Sequence, residues 1–251
     1  MLMKVDIKNE NLIAMIPARL GSTRLKMKNL ALINGKPMIY YAVQAAKDSE
    51  VFNQIVINSD SEIFEKIAVR YGVEFYLRPK QLGGSNIKSD EVVFDFINNH
   101  NADIIAWVNP IAPFQTGKEI HKVANDFLER KLDSLITVEE KQVHCICDGK
   151  PVNYNPDESF AKTQDIISVH PFTYSVMMWR SEKFLTEYNK NGHGFFCGNF
   201  GIHPVNQLTS LIIKTQNDLI MANLLMKNKG KVENNVKYDE LANLVLLTES
   251  N

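Results

Sequence analysis

Ile13-Ala-Met-Ile-Pro-Ala-Arg-Leu-Gly-Ser-Thr-Arg-Leu-Lys-Met-Lys-Asn29 decides how this chain is read. An apolar run ends at Pro17, and the residues after it, Ala18 to Lys28, carry Arg19, Arg24, Lys26 and Lys28 around Gly21, Ser22 and Thr23. A strand that stops abruptly presents backbone N–H groups and small hydroxyls at its carboxyl end, where α/β sheets bind ligands. Fixed cations there can neutralise a polyphosphate, and Gly21 lets the backbone come close. A solvated surface loop would account for basic residues, but not for their concentration directly after a strand with Gly-Ser-Thr among them. The stretch reads as a buried strand feeding a phosphate seat.

Outward from that seat the chain alternates. Asn34-Gly35 marks a turn and Pro37 suits the first residue of a helix, whose inward face is Ile39, Ala42, Val43 and Ala46. Strands are expected at 54–57, 73–77, 104–108 and 134–138, with helices between them carried by Ile63, Ile67 and Tyr71, then Val92, Val93, Phe96 and Ile97, then Val123, Phe127 and Leu128. Ser89 caps the second of these helices, and Thr116 with Glu119 forms a capping box for the third. Leu77-Arg78-Pro79 brings an arginine to another strand end, and Asn109-Pro110-Ile111-Ala112-Pro113 is a rigid turn closing the most hydrophobic strand. This is the order of a doubly wound, mostly parallel Rossmann-like sheet, 1–138.

From Glu139 the pattern changes. Val143 to Cys147 with Asp148-Gly149 reads as a hairpin, 153–164 is polar and irregular, 173–180 is a strand, and Ser181 caps a short helix. The segment 139–201 is therefore taken as an inserted β-rich arm, and 202–251 as a return to the core: a strand at Leu211 to Ile213, a helix capped by Thr215 and Asp218 and ended by Gly230, a linker, and a last helix at 238–247.

Composition excludes several classes of function. The chain has 251 residues, with 28 Lys and Arg against 29 Asp and Glu, so it has no broad basic surface for a nucleic-acid polymer or a membrane. No apolar run approaches the roughly 20 residues of a membrane span, and Lys4, Asp6, Lys8 and Glu10 do not suit a secretory leader, so a cytoplasmic protein is expected. Three cysteines give no disulfide framework. His144, Cys145 and Cys147 fit alternation along a strand better than a zinc site, which needs a fourth ligand.

Ile16-Pro17-Ala18-Arg19, Gly21-Ser22-Thr23-Arg24-Leu25, Lys28-Asn29-Leu30 and Asn34-Gly35-Lys36-Pro37-Met38-Ile39 together resemble the amino-terminal signature of the cytidylyltransferases that make CMP-activated acidic sugars. These are the acylneuraminate cytidylyltransferases, or CMP-sialic acid synthetases, and the related CMP-KDO synthetases. Gly-Ser-Thr-Arg-Leu is nearer the KDO branch, whereas Lys28-Asn29 and Leu77-Arg78-Pro79 are nearer the acylneuraminate branch; Val108-Asn109-Pro110-Ile111-Ala112-Pro113 resembles the family's Gln-Pro-Thr-Ser-Pro turn with Asn in place of Gln. The resemblance covers about residues 11 to 120 and thins beyond 140.

It implies that a sugar acid's hydroxyl attacks the α-phosphorus of CTP and displaces pyrophosphate, the sugar-activation step of polysaccharide biosynthesis. By position, Arg19 and Lys28 would hold the triphosphate as the catalytic cations, with Ser22, Thr23 and Arg24 completing the seat. Ala18, Asn29, Arg78 and Ser89 would meet base and ribose, and Asn109 would lie between nucleotide and acceptor. A surface ion pair for Arg78 and a plain helix cap for Ser89 are the alternative roles. His170 and the pair Phe195 and Phe196 fall where the family meets its acceptor, with His170-Pro171-Phe172 replacing Arg-Pro-Asn, so sialic acid itself is not expected. The resemblance also implies a homodimer in which the arm reaches the neighbour's pocket.

Magnesium is implied as well, yet its ligands are not identifiable. Where the family has Asp-x-Asp, this chain has Ile212-Ile213-Lys214-Thr215, and the KDO branch's alternative aspartate falls on Ile111. Three accounts stay open: metal held by the nucleotide with Asp218, Lys214 supplying part of its charge, or a homologue that binds nucleotide without transferring it. A different small acidic acceptor is a further alternative.

Overall fold

The structure, a computed structural model, describes residues 10–22 and 24–228; Thr23, Gly230 and the expected helix at 238–247 lie outside them. In chain order, β1 (Leu12–Ala18) is followed by a ribbon of β2 (Leu32–Ile33) and β3 (Lys36–Pro37), then α1 (Met38–Ser49), β4 (Gln54–Ser59), α2 (Ile63–Tyr71), β5 (Glu74–Leu77), α3 (Ser89–Asn99), β6 (Ile104–Val108), α4 (Gly117–Glu129) and β7 (Ser134–Val138). A second ribbon, β8 (Ile146–Cys147) and β9 (Lys150–Pro151), precedes β10 (Phe172–Arg180), α5 (Ser181–Asn191), β11 (Phe200–Pro204) and α6 (Gln216–Asn228).

Seven strands form one sheet in the order β11-β7-β10-β6-β1-β4-β5. All neighbours run parallel except β10, which is antiparallel to both β6 and β7. The strands nearest the centre are buried on both faces, as their unbroken apolar runs require. One face packs Ile39, Val43, Phe64, Ile67, Val123 and Phe127 of α1, α2 and α4 against Ile16 and Ala106; the other packs Val93, Phe96 and Phe184 of α3 and α5 against Met15, Ile105 and Trp179. Burying each large side chain of this kind contributes about 1.5–3 kcal/mol. A third apolar group, Ile33, Met38, Phe114, Ile213, Ala222 and Met226, fastens α6 to the β2–β3 ribbon.

From β1 the chain builds outward to β4 and β5, and returns through α3 to β6 on the other side of β1. The strand order thus reverses between β1 and β6, and a crevice opens there at the carboxyl ends. The Asn34-Gly35 turn appears with φ of 46° and 75° at its two central residues, the geometry that Asn-Gly permits.

Several expectations are corrected. β10 is not part of a separate arm: Val176 to Trp179 are buried in the middle of the sheet, because an apolar strand gains most where both faces and both edges are covered. The excursion from the core is therefore 139–171, narrower than 139–201. Leu211 to Ile213 is coil, and the edge strand is β11, whose Gly and Pro disguise it in the sequence. Pro37 precedes α1 by one residue. Ser89 is the first residue of α3, not its cap; there the Glu91 carboxylate accepts from the Lys88 N–H at 3.0 Å. Ser181 likewise opens α5 without capping it. Thr116 does cap α4, but Glu119 turns away to accept from Asn206 and Thr209, so the box is half formed. At α6, Thr215 and Asp218 form the expected cap: Asp218 N–H donates to Thr215 Oγ1 at 3.3 Å. Among the described residues no helix is long and apolar enough to cross a membrane.

Candidate functional site

The crevice at the strand reversal is a cleft of about 300 Å³. Its floor is the end of β1, with Pro17 and Ala18; its walls are the loop and first turn of α3, from Leu82 to Val92, and the end of β6 with Trp107, Asn109, Pro110 and Ile111. Arg19, Lys28 and Asn29 of the basic loop close the remaining side, and Arg78 enters from the end of β5. Of the residues expected from sequence, Ala18, Arg19, Lys28, Asn29, Arg78, Ser89 and Asn109 are brought together here.

The cations do different work. Arg78 is 4% exposed and fastens three strand ends: it donates to Asn58 O at 3.0 Å and Ala18 O at 3.3 Å, and pairs with Asp60 at 3.6 Å. Burial lowers its pKa from the ordinary guanidinium value, while Asp60 opposes that shift. The alternative role of surface ion pair is therefore only partly met, since the pair is buried. Arg19 reaches across the opening to donate to Gly84 O at 3.3 Å. Lys28 sits in a single 3-10 turn, Lys28–Leu30, and its pKa is lowered to about 8 by burial, then by the charges of Arg24, Arg19 and Lys214. Like charges gathered this closely repel one another until an anion is placed between them.

Several buried polar atoms beside the cleft have no partner: Asn29 Oδ1, Arg78 Nε and Trp107 Nε1. A buried donor or acceptor left unpaired is costly, and these three belong to residues that line the cleft beside its cations. Asn109 is 9% exposed and held in place, its N–H donating to Ser175 O at 2.9 Å and its main-chain O accepting from Gln115 Nε2 at 2.8 Å. Its Oδ1 accepts from Ile111 N–H at 3.4 Å, which leaves the amide nitrogen as the group it can offer a ligand.

Ser22 and Arg24 stand outside the lining, although Arg24 acts on Lys28 through its charge. His170 is exposed and precedes β10. Because β10 runs against β7, pairing Phe172 with Val138, His170 belongs to the same sheet edge as the cleft but does not line it. The aromatic pair divides: Phe195 packs edge-on against Trp179, whose Nε1 donates to its carbonyl at 2.8 Å, whereas Phe196 is exposed beside Phe172 and Phe200. Neither ring lines the cleft.

Sequence reasoning missed Lys88 and Trp107. Trp107 reads as core within an apolar strand, although its place next to last before a proline turn marks a residue that can face the crevice. Lys88 occupies the cap position of α3, where Ser, Thr, Asp or Asn would be usual, and that mismatch is its signal.

A magnesium ion would need oxygen donors. No carboxylate lines the cleft, and no group of three or more His, Cys, Asp or Glu side chains that could hold a metal occurs among the described residues. Asp218, which lies near enough to act on Lys28, has Oδ2 engaged by the N–H groups of Lys214 at 2.8 Å and Thr215 at 2.7 Å. Burial alone would raise its pKa; those donors outweigh it and hold the carboxyl below its ordinary value. The residues present do not fit a protein-held divalent ion.

The chain is similar to an N-acylneuraminate cytidylyltransferase of Escherichia coli, 34% identical over 110 residues, which are 43% of this chain and 26% of that protein. It is 26% identical over 228 residues to post-translational flagellin modification protein B of Campylobacter coli, covering 86% of this chain and 94% of the other. A solved structure of CMP:2-keto-3-deoxy-manno-octonic acid synthetase complexed with CTP shares the fold at a TM-score of 0.66 and 15% identity, covering 87% of this chain and 99% of that one. The chain thus spans about a quarter of the E. coli relative's length. The sequence model of the cytidylyltransferase family matches residues 13–182, more than half of the chain, and the chain belongs to that family.

Proposed function

We propose that the chain transfers CMP from CTP to a small acidic sugar. The observation that carries this reading is the cleft at the β1–β6 reversal, where Arg19, Lys28 and Lys88 meet unpartnered Asn29 Oδ1, Arg78 Nε and Trp107 Nε1. Cations suit the triphosphate, and the orphaned polar atoms suit a base and ribose with several donors and acceptors. In this reading the acceptor's hydroxyl oxygen forms a bond to the α-phosphorus, the bond from that phosphorus to the bridging oxygen breaks, pyrophosphate leaves, and the hydroxyl proton passes to water. Arg19 and Lys28 neutralise charge as it shifts onto the leaving phosphates, and Asn109 separates nucleotide from acceptor. Arg24 acts through Lys28, and Ser89 offers its hydroxyl from the first turn of α3.

The acceptor enters from the edge where 139–171 leaves and rejoins the sheet, near His170 and the exposed Phe196, and a second copy of the chain completes that side. The family match and the relatives' names support CTP and a sugar acid as the substrates. The test is pyrophosphate release from CTP with a panel of 2-keto-3-deoxy sugar acids. Release with at least one acceptor, lost in Arg19→Ala and Lys28→Ala, is the expected result. CTP binding without release with any acceptor would instead support a homologue that only binds nucleotide.

A further inference from the structure

Beside the basic loop stands a further cation that comes from the segment before α6. Ile213 donates its N–H to Ile111 O at 2.9 Å, so the segment before α6 is laid against the wall of the cleft. The next residue, Lys214, is exposed just outside the cleft's lining, and its backbone N–H is fixed by Asp218 Oδ2 at 2.8 Å. Its charge reaches Lys28, together with those of Arg19 and Arg24. This side of the cleft is therefore a group of positive charges with one partly engaged carboxylate behind it, the reverse of what a bound divalent cation requires.

We propose that Lys214, whose backbone is held beside the wall of the cleft, turns its ammonium to the phosphates and supplies the positive charge that a protein-held metal would otherwise bring, so that this chain binds CTP as the free polyanion. The inference rests on the CTP reading of the cleft. Its physical basis is charge balance: a nucleoside triphosphate carries several negative charges, and fixed cations facing it need no ion between. Any divalent ion present then travels on the nucleotide's own phosphates, and by cancelling part of their charge it weakens their attraction to these cations. Asp218 keeps its role as the carboxylate that closes the first turn of α6 and sets Lys214 in place.

The experiment is CTP binding, followed by calorimetry and by tryptophan fluorescence, in magnesium and in excess chelator. Binding in chelator is expected to be as tight as in magnesium or tighter. Loss of more than about tenfold in chelator would overturn the proposal while leaving CTP recognition intact. Lys214→Ala should weaken binding about tenfold in both conditions, as removal of one charge-assisted contact does. Lys214→Asp should make binding depend on magnesium, by about tenfold or more, because it returns a carboxylate to this position. Asp218→Asn should leave the ratio between the two conditions unchanged; a loss seen only in magnesium would show that Asp218 holds an ion, and would overturn the proposal. No CTP binding in either condition would remove the CTP reading itself, and this inference with it.

Discussion

Lys28 links the sequence to the chemistry most directly. Its ammonium is half-buried among like charges, and its pKa falls from 10.5 to about 8. In the free protein the group therefore begins to lose its proton just above neutrality, while a bound polyphosphate draws the pKa back up. CTP binding should take up protons near pH 8 and weaken as pH rises through 8, as calorimetry in buffers of different ionisation enthalpy will show. The sign for stability is opposite. A lysine whose folded pKa is depressed leaves the unfolded chain binding more protons between about 8 and 10.5, so stability rises across that window. Lys28→Met should melt above the wild type at pH 7, with the gap closing between pH 8 and 10.5. Trp107 offers a second test at this scale. Trp107→Phe removes an unpaired indole donor, so affinity for CTP or its acceptor should fall by about 1 kcal/mol while the melting temperature holds. A fall in melting temperature with affinity unchanged would make the indole a packing residue. The basic seat was legible in sequence because its cations lie within a few residues of one another. Trp107 and Lys88 were harder to read, since their signals, a tryptophan just before a proline turn and a lysine at a cap position, are weak beside apolar periodicity.

At the scale of elements, local chemistry predicted helices well wherever apolar spacing and a stop agreed. α2 runs to Tyr71 and is stopped by Gly72 in the left-handed conformation at φ 61°, as a glycine past a periodic apolar face implies. Caps were less legible, because Ser, Thr and Glu can spend their hydrogen bonds elsewhere. Thr116→Ala should cost about 1 kcal/mol by denaturant unfolding, since its hydroxyl accepts from Glu119 N–H. Ser89→Ala should cost much less, because Glu91 and not Ser89 satisfies the start of α3. Its expected effect is on CTP affinity, which separates the ligand role from the capping role that the sequence suggested. Gly117 is a further case. A Cβ there would lie 2.5 Å from Asp48 C, so α4 can begin against the end of α1 only with glycine. Gly117→Ala should destabilise the protein by about 1–3 kcal/mol, the range for overpacking, with the two helices forced apart.

For the whole molecule, the alternation of strand and helix up to Val138 was enough to give a mostly parallel sheet with its site at the strands' carboxyl ends; the reversal between β1 and β6 that opens the crevice comes from the strand order. The alternation could not give the return path, because β10 joins the sheet antiparallel across about 30 residues of intervening chain, and such pairing leaves no local trace. That excursion bears on assembly. It leaves β7 and rejoins at β10 on the cleft edge, and it exposes Val143, Ile146, Val152, Phe160 at 81% and Ile167 at 78%. Phe172, Tyr174, Phe196 and Phe200 extend the apolar surface beside its root. Surface of this extent favours burial against another protein surface, and a second copy is the partner consistent with the proposed function. Light scattering should therefore give a mass near twice 28.6 kDa. Phe160→Asp with Ile167→Asp should give a monomer whose core melts as before, since neither side chain belongs to the packed layers. The monomer should keep CTP affinity, because the cleft's lining lies wholly between Pro17 and Ile111, and should lose transfer to the acceptor if, as proposed, a second copy completes that side. A dimer unaffected by the double substitution would place the interface elsewhere. Transfer retained by a true monomer would show that one copy is sufficient.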